Sequence, residues 1–337
     1  MQLDSARGLK LALTESVLAP FTTVGRPAVR DLAVPAGPIA DVAPVQPSIA
    51  LGIGRGTGNE FLIAVRCQRR ELMTSKEIAQ IKKKAKGEVD IRFVGTITKR
   101  AAPSWTQQRH RPLKIGISVG HVKVTAGTLG AFVKRRESAN ETLILSNNHV
   151  LANENRGKIG DAVLQAGVLD GGTDPDDRIA TLASMVRLAK AKPNAVDAAV
   201  AKLESNVEFD PRTVRGLSKL AGPGPAFVDV GTEVAKLGRT TGLTRGIVTA
   251  FEVDNVVVAF DTGLRRFDGQ IEIEGAGDSV FSLAGDSGSL ILEPSTRLAI
   301  GLLFAGTDSG GSNDKGLTYA NALRTVLDAL KVDLVSG

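Results

Sequence analysis

Gly285-Asp286-Ser287-Gly288-Ser289 is the stretch that decides the fold of this chain. Ser287 lies between two glycines, and the apolar run Leu290-Ile291-Leu292 follows at once. Glycine lets a backbone turn sharply and lets a ligand approach it closely. We therefore expect a tight turn that leads into a buried strand. Because Gly, Asp and Ser are also the usual residues of a surface turn, this stretch alone leaves the role of Ser287 open.

Composition narrows the class of protein. The 337 residues leave room for two domains, or for one large domain with an extension. Hydrophobic residues at 42% and charged residues at 23% are typical of a soluble globular protein. We assign the net charge of +6 to a solvated surface, and aromatic residues at 4% argue against base-stacking platforms for nucleic acid. No stretch reaches the roughly 18 continuous apolar residues of a membrane span, so no membrane partner is expected.

The single cysteine bears on the compartment. Cys67 cannot form an internal disulfide, and nothing in the sequence indicates an oxidising environment. Its apolar neighbours favour a small core residue over a nucleophile. The apolar segment Leu9-Lys10-Leu11-Ala12-Leu13 is broken by Thr14-Glu15-Ser16 and has little of the positive charge that precedes such a segment in a signal peptide. We therefore expect a cytoplasmic protein.

The N-terminal third is predicted to hold a short helix over about 4–18, a Pro-rich arm and a small α+β module. The arm carries prolines at 27, 35, 38, 44 and 47. The module reads β-β-α-β: two apolar strands, a helix that begins near Thr74 or Ser75 and ends at Lys86, and a strand over 89–98. The predicted domains are 1–47, 48–110 and 111–337.

Two features of this module bear on phosphate or nucleic-acid binding. The glycines at 52, 54, 56 and 58 resemble a phosphate loop only weakly, because a strand rather than a helix N-terminus follows them. Lys82-Lys83-Lys84 and Lys86 are interpreted as the solvated face of the helix. A nucleic-acid patch there is left open as the less favoured alternative.

From about residue 113 the chain consists of short apolar segments separated by turn residues, which predicts an all-β sandwich or a pair of barrels. A break at 211–225 separates the two halves, about 113–210 and 226–320. A final amphipathic helix is predicted over 321–334. The predicted strands are 115–119, 129–134, 142–145, 196–203, 234–237, 246–253, 271–273, 290–292 and 299–304.

The chemistry of Ser287 requires a base. Of the three histidines, His149 follows the apolar segment 143–145, whereas His110 and His121 stand among polar or charged residues. Imidazole is the side chain whose unperturbed pKa suits proton transfer at neutral pH. His149 is therefore the candidate base for Ser287.

A buried carboxylate is then needed to orient the imidazole. Asp197 is the acid set directly into an apolar segment, 195–201, where a lone charge would be costly without a partner. The chain order His, Asp, Ser matches one of the known orders of Ser-His-Asp catalytic triads. Weaker candidates lie in one polar loop: Asp170, Asp174, Asp176 and Asp177.

From about 113 to 334 the chain resembles chymotrypsin-fold (trypsin-like) serine peptidases. It resembles bacterial intracellular members related to HtrA-type proteases and to the plant Narrow Leaf family. The segments that carry the resemblance are 146–151 (SNNHVL), 196–200 (VDAAV), 237–242 (LGRTTG) and 285–289 (GDSGS).

The resemblance implies a mainly β fold of two six-stranded antiparallel barrels, with the triad at their interface and the small α+β module and C-terminal helix outside them. It places the oxyanion hole at the backbone amides of Gly285 and Ser287. It implies a substrate pocket with Phe281 at its base, lined further by Ser282, Ala284, Phe304, Ala305 and Gly306. No metal or cofactor is expected.

The predicted function is a serine endopeptidase in which Ser287 attacks, His149 transfers the proton and Asp197 orients His149. The uncharged pocket base predicts cleavage of proteins or peptides after small or apolar residues. The alternative is a protease-fold scaffold or binding protein with little activity that assembles through its N-terminal module. A homo-oligomer is expected to be possible in either case.

Overall fold

Two compact units, Met1–Arg100 and Ala101–Gly337, make up the chain. The computed structural model describes residues 1–18, 49–56, 60–94 and 103–335. The predicted Pro-rich arm lies outside these residues, as do Gly58 of the spaced glycines and the predicted strand end at 95–98. The predicted domain boundaries at 47 and 110 stay predictions.

The smaller unit has the predicted β-β-α-β order. Helix α1 (Leu3–Leu13) continues as a π-helical turn, Thr14–Leu18. Strands β1 (Ile49–Arg55) and β2 (Phe61–Cys67) are antiparallel, and β3 (Val89–Phe93) runs parallel to β2 after the crossover helix α2 (Lys76–Lys84). A short 3₁₀ turn, Arg70–Thr74, precedes α2.

Local chemistry explains the ends of α2 and the core beneath it. The Ser75 hydroxyl accepts a hydrogen bond from Ile78 N at 3.4 Å, which caps the N-terminus, and Gly87 adopts φ +85 beyond the last turn. Ile78 and Ile81 pack into a core that also holds Cys67. Burial raises the pKa of the Cys67 thiol, which disfavours the reactive thiolate.

The larger unit begins with a sheet that curls into the first barrel. Its strands follow the order β6-β7-β10-β9-β8-β4-β5. Because β5 and β6 are successive parts of one segment, and Leu129 N and Leu129 O both bond to the 116–117 backbone, this segment joins the two ends of the sheet. The helix α3 (Asn148–Leu151) follows β7. The strands are β4 (Ser118–His121), β5 (Gly127–Thr128), β6 (Ala131–Arg135), β7 (Ser138–Ser146), β8 (Ala162–Leu164), β9 (Arg178–Met185) and β10 (Ala199–Leu203).

The second barrel is closed by six strands in the order β18-β17-β12-β13-β16-β19, with β19 paired back to β18. A separate two-stranded hairpin, β14–β15, is inserted between β13 and β16, and the short β11 runs parallel to β18. The strands are β11 (Gly222–Pro223), β12 (Glu233–Gly238), β13 (Gly242–Val253), β14 (Val256–Phe260), β15 (Gly263–Phe267), β16 (Gln270–Gly275), β17 (Leu290–Glu293), β18 (Leu298–Gly306) and β19 (Leu317–Ala322).

A shared apolar core lies where the barrels meet. One cluster of buried side chains combines first-barrel residues such as Phe132 and Leu145 with second-barrel residues such as Leu290 and Leu302. Burial of apolar surface is the main driving force for such packing. The strands that carry the candidate site are therefore held on both sides of one core, and the predicted mainly β, two-barrel architecture is confirmed.

The C-terminal segment differs in part from its prediction. Helix α4 (Leu323–Leu330) is present, but it ends at Lys331 (φ 55), and β20 (Val332–Leu334) pairs antiparallel with β6. The predicted helix over 321–334 is therefore too long, because pairing with a strand some 200 residues earlier overrides the local helical spacing. In the part of the chain that the structure describes, no helix combines the length and apolarity that a membrane crossing requires.

Candidate active site

Ser287 lies in the turn just before β17, between two glycines with left-handed backbones. Gly285 has φ +96 and Gly288 has φ +92. A Cβ atom on Gly288 would come within 2.0 Å of Ser146 Oγ and 2.3 Å of Thr128 O on the first barrel. Glycine is therefore required at 288 by both backbone conformation and space. The close approach fixes the serine turn against the first barrel.

His149 lies in α3, the short helix that follows β7, and contacts Asp197. His149 Nδ1 is 2.5 Å from Asp197 Oδ2. The other carboxylate oxygen, Oδ1, accepts hydrogen bonds from Asn148 N at 2.7 Å and from His149 N at 3.3 Å. The start of α3 thus binds the same carboxylate that orients the imidazole ring. These contacts come from two adjacent residues, Asn148 and His149.

Asp197 precedes β10 and is completely buried. Its backbone N–H donates to Asn321 Oδ1 at 2.9 Å, and its backbone carbonyl accepts from Asn147 Nδ2 at 2.7 Å. Asn321 belongs to β19 of the second barrel. The backbone of Asp197 is therefore held from both barrels, whereas its carboxylate receives from Asn148 and His149 the hydrogen bonds that a buried charge requires.

The environment of His149 alters its acidity. Burial favours the neutral imidazole, but the charge and hydrogen bond of Asp197, together with the charge of Glu154, outweigh burial and raise the pKa of His149 above its usual 6.5. An imidazole with a raised pKa accepts a proton more readily. This is the property that a base for Ser287 needs.

Among the described residues, the hydroxyl of Ser287 forms no hydrogen bond with His149 in this conformation. Ser287 Oγ donates to the backbone carbonyl of Phe304 at 3.5 Å. Within the described ranges, His149 Nε2 takes part in no hydrogen bond, although His149 and Ser287 line the same groove. Hydrogen bonds of catalytic groups are often long or misaligned in the absence of substrate.

The amides on either side of Asp286 are available to a ligand. Considering the residues that the structure describes, neither Gly285 N nor Ser287 N donates a hydrogen bond. Their carbonyls, in contrast, are fixed: Gly285 O accepts from Thr128 Oγ1 at 3.1 Å and Ser287 O accepts from Thr128 N at 2.8 Å. Two unpaired N–H groups on an anchored turn are suited to binding a developing oxyanion.

Asp286 lies within that turn, is completely buried and holds the turn in place through its carboxylate. Its carboxylate accepts hydrogen bonds from the backbone N–H groups of Thr240 at 2.7 Å and Leu283 at 3.0 Å, and from Thr241 Oγ1 at 2.7 Å. The ammonium of Lys236, itself completely buried, lies 3.1 Å away. Each carboxylate oxygen therefore has several donors, so the conformation of the turn is strongly determined.

A second buried ion pair joins the two barrels beside the turn. Arg239 Nε donates to Asp170 Oδ2 at 2.8 Å, and the guanidinium makes a second bond to Oδ1. The two side chains are only 9% and 6% exposed. A Cβ atom on Gly285 would lie 3.0 Å from Arg239 Nη1. This pair therefore packs directly against the turn that carries Ser287.

The groove beside Ser287 has a volume of about 610 Å³. Of the predicted pocket residues, five line it: Ser282, Ala284, Phe304, Ala305 and Gly306. Charged side chains line other parts of the groove, namely Lys123, Glu154, Arg156, Asp261 and Asp308.

Phe281 does not line this groove, contrary to the prediction that placed it at the pocket base. Phe281 is 1% exposed and packs with Val234 and Ile273 in the core of the second barrel. A large apolar ring gains more from such burial than from a partly open pocket. The adjacent Ser282, which hydrogen-bonds Thr318 Oγ1 at 2.7 Å, lines the groove instead.

The other histidines lie away from His149 and Ser287. His110 stacks on Trp105, with ring centroids 4.3 Å apart. His121 ends β4, is completely buried and lies 3.0 Å from Asp161 Oδ2, so it is a core residue rather than a loop residue. Three of the four weaker acid candidates pair with arginine and not with His149: Asp170 with Arg239, Asp174 with Arg178 and Asp177 with Arg109.

Sequence reasoning missed three contributors to the site: Lys236, Arg239 and Glu154. Lys236 interrupts the apolar strand 234–237, which is the same signal that identified Asp197, so it could have been found. Arg239 and Glu154 have ordinary polar neighbours and carry no such signal. No group of three or more His, Cys, Asp or Glu side chains that could hold a metal occurs among the described residues.

Two successive barrels, with His149 and Asp197 on the first and Ser287 on the second, give the chain the double-barrel fold of chymotrypsin-like serine proteases. No protein-family model and no curated protein matches the chain.

Several solved structures are similar to it. Thermobifida fusca Protease A has 18% identity and a TM-score of 0.46, over 67% of this chain and 100% of that one. Cellulomonas bogoriensis chymotrypsin has 19% identity and a TM-score of 0.45, over 67% and 100%. The HtrA-type protease AlgW has 20% identity and a TM-score of 0.35, over 61% and 51%.

Proposed function

We propose that this protein is a serine endopeptidase that works through an acyl-enzyme. The observation that carries the proposal is the meeting of three features in one groove: the His149–Asp197 pair, the hydroxyl of Ser287, and the unpaired amides of Gly285 and Ser287. These are the base, the nucleophile and the oxyanion donors that acyl transfer requires.

The mechanism follows from the contacts. Ser287 Oγ leaves the Phe304 carbonyl, donates to His149 Nε2 and attacks the peptide carbonyl carbon while His149 takes the proton. Asp197 stabilises the resulting imidazolium. The amides of Gly285 and Ser287 bind the oxyanion, and His149 then returns the proton to the leaving amine. A water molecule, activated in the same way, hydrolyses the ester and frees Ser287.

The groove supports a preference for small or apolar side chains at the cleavage site. The five predicted pocket residues that line it are uncharged, and Gly306 and Ser282 are small. None of these five residues carries a carboxylate that could pair with the charge of a Lys or Arg side chain. Cleavage of a peptide library should therefore favour small and apolar residues, and a profile dominated by Arg or Lys would contradict this preference.

Labelling with a fluorophosphonate probe tests the proposed activity, because the probe reacts covalently with an activated serine. The wild-type protein should be labelled and Ser287→Ala should not. Ser279→Ala is a matched control, since Ser279 is exposed and lies in a surface turn before the groove. Labelling of Ser287→Ala at the wild-type level would refute the assignment.

A second candidate function is a protease-fold scaffold with little activity. The bond from Ser287 Oγ to the Phe304 carbonyl favours it, because a hydroxyl that stays there cannot give its proton to His149. The same experiment separates the two candidates: an unlabelled wild-type protein supports the scaffold, and a labelled one supports the enzyme.

Cytoplasmic location and assembly into a homo-oligomer stay predictions. The buried Cys67 is compatible with a reducing compartment, since it needs no disulfide partner. Cell fractionation and light scattering on the purified full chain would check the two predictions. A protein recovered outside the cell, or a monomer at all concentrations, would contradict them.

A further inference from the structure

The hairpin β14–β15 is tied at its tip to the loop that follows His149. Glu154 Oε1 accepts a hydrogen bond from Asp261 N at 3.0 Å, and Oε2 accepts one from Thr262 N at 2.9 Å. Asp261 and Thr262 form the two-residue turn between Phe260 and Gly263, so the hairpin's own ladder does not use these amides. The Glu154 side chain is only 11% exposed. Hydrogen bonds to a carboxylate with so little access to water are strong ones.

The backbone that carries Glu154 is held in an unusual conformation. Asn153, Glu154 and Asn155 have φ values of 48, 54 and 70, three successive left-handed residues without a glycine. Such residues cost free energy and persist only where their surroundings enforce them. Asn148, the neighbour of His149, supplies this enforcement: its side chain donates to Asn155 Oδ1 at 2.8 Å and accepts from Asn155 N at 3.0 Å.

The base of the hairpin is attached to the first barrel as well. Asn194 N donates to Arg266 O at 2.8 Å, and Asp268 N donates to Asn194 O at 3.0 Å. Asn194 stands three residues before Asp197, and Glu154 stands five residues after His149. Both ends of an element from the second barrel are therefore bonded to segments that carry the His149–Asp197 pair.

Between its two attachments the hairpin contacts the imidazole and the groove. The ring of Phe260 lies edge-on to His149, with centroids 5.8 Å apart. Val258, Ala259 and Phe260 line the groove together with Ser287 and the end of β18. Any chain that reaches Ser287 along this part of the groove must pass the hairpin.

The geometry points to Glu154 as a positioning residue that ties the hairpin over His149 and so forms one wall of the binding groove for an extended peptide. This inference rests on the proposed function and adds the element that selects an extended chain of several residues over a short substrate. Arg156 contributes little to the tie: it lies 3.6 Å from Glu154, farther than either amide, and is 49% exposed.

Hydrogen–deuterium exchange tests the tie without any need for activity. In Glu154→Ala the amides of Asp261 and Thr262 lose both acceptors, and peptides covering 256–267 should exchange at least about tenfold faster than in the wild type. Glu154→Gln keeps one acceptor oxygen in a side chain of the same size, so its exchange should be intermediate. Glu141→Gln is the matched control, because Glu141 pairs with Arg135 and Lys202 away from the groove and should leave 256–267 unchanged.

Steady-state kinetics test whether the hairpin forms one wall of the binding groove. For a hexapeptide substrate the Glu154 variants should raise KM by about tenfold or more, with a smaller fall in kcat. For a single-residue ester, which does not extend along the hairpin, the loss in kcat/KM should be several-fold smaller. Assays on the pH plateau above the acid limb of each variant keep His149 neutral throughout, so that the charge of Glu154 does not enter the comparison.

Each result has one meaning. Unchanged exchange at 256–267 in both Glu154 variants overturns the inference that Glu154 holds the hairpin. An equal loss in kcat/KM on the hexapeptide and the ester overturns the inference that the hairpin forms a wall of the groove. Faster exchange with a loss confined to the hexapeptide supports both. If the wild type is not labelled by a fluorophosphonate, the proposed function fails, whereas the exchange comparison still decides whether Glu154 holds the hairpin.

Discussion

Lys236 Nζ lies 3.1 Å from Asp286 Oδ2, and neither side chain has any exposed surface. This pair connects strand β12 to the turn that presents Ser287 and the amides of Gly285 and Ser287. Burial lowers the pKa of Lys236, while the charge and hydrogen bond of Asp286 oppose that effect. A buried charge is tolerated only while its partner is present, because water cannot replace the partner.

Lys236→Met should therefore leave the carboxylate of Asp286 buried without its cation. We expect the free energy of unfolding to fall by about 3–5 kcal/mol, with loss of fluorophosphonate labelling. Urea denaturation followed by the fluorescence of the single tryptophan, Trp105, reports on the larger unit. Lys202→Met is the control, since Lys202 is 57% exposed and its pair with Glu141 should contribute less than about 1 kcal/mol. Equal effects of the two substitutions would contradict this account of the Lys236–Asp286 pair.

Asp197→Asn should separate orientation of the imidazole from assembly of the groove. The amide can still accept a hydrogen bond from Asn148 N, but it no longer enforces the tautomer of His149 that can take a proton from Ser287. We expect kcat to fall by about 10⁴-fold with a much smaller change in KM. Steady-state kinetics on a peptide substrate measure both values. Asp174→Asn, which breaks a surface pair with Arg178, should have no such effect, and a similar kcat in both variants would argue against the role of Asp197.

The pH dependence of activity should reflect the raised pKa of His149. The base acts in its neutral form, so kcat/KM rises as the pH increases through the pKa of His149 in the free enzyme. Because that pKa lies above 6.5, the acid limb should have its midpoint above 6.5. In Asp197→Asn the main cause of the rise is removed while burial remains, so the midpoint of the residual activity should move to lower pH. A wild-type midpoint below 6.5, or no movement in the variant, would contradict this assignment.

The central residues of the candidate site could be predicted because each carries a local signal. Ser287 is enclosed by glycines, His149 follows an apolar strand, and Asp197 interrupts one. Lys236 carries the same signal as Asp197, because it interrupts the apolar strand 234–237, so the sequence also indicates that it is buried with a partner. Glu154 is different, since its role depends on amides 107 and 108 residues later in the chain. No local pattern around Glu154 records that contact.

The fold could be predicted from the sequence to a similar extent. Strands with strong apolar runs, such as β12 and β17, were found, whereas the hairpin β14–β15 was missed. Its outward residues Val257 and Leu264 are 55% and 65% exposed, so the hairpin is not an ordinary half-buried pair. The predicted C-terminal helix was too long for a related reason. Its last residues form β20, which is defined by pairing with β6 and not by its own residues.

Gly306 offers a direct test of the pocket. A Cβ atom there would lie 3.4 Å from Ser282 Oγ, so a side chain at this position enters the space between Ser282 and the end of β18. Its approach to within 2.9 Å of Leu317 O also requires the paired backbones of β18 and β19 to shift. Gly306→Val should therefore shorten the pocket rather than alter the His149–Asp197 pair. We expect kcat/KM for peptides with Leu or Phe at the cleavage site to fall by about tenfold or more, because a lost contact of a few methylenes has that effect.

The same variant should lose less on peptides with Ala at the cleavage site, since a methyl group does not reach the occupied space. Gly301→Ala is a control for disturbance of β18, because Gly301 lies in the same strand but packs against Ala320 in the barrel interior. The informative quantity is the ratio of kcat/KM between the Leu and Ala peptides. A ratio that stays at the wild-type value in Gly306→Val would place the specificity pocket elsewhere in the groove. A ratio that falls in Gly306→Val but stays unchanged in Gly301→Ala would locate the pocket between Ser282 and Gly306.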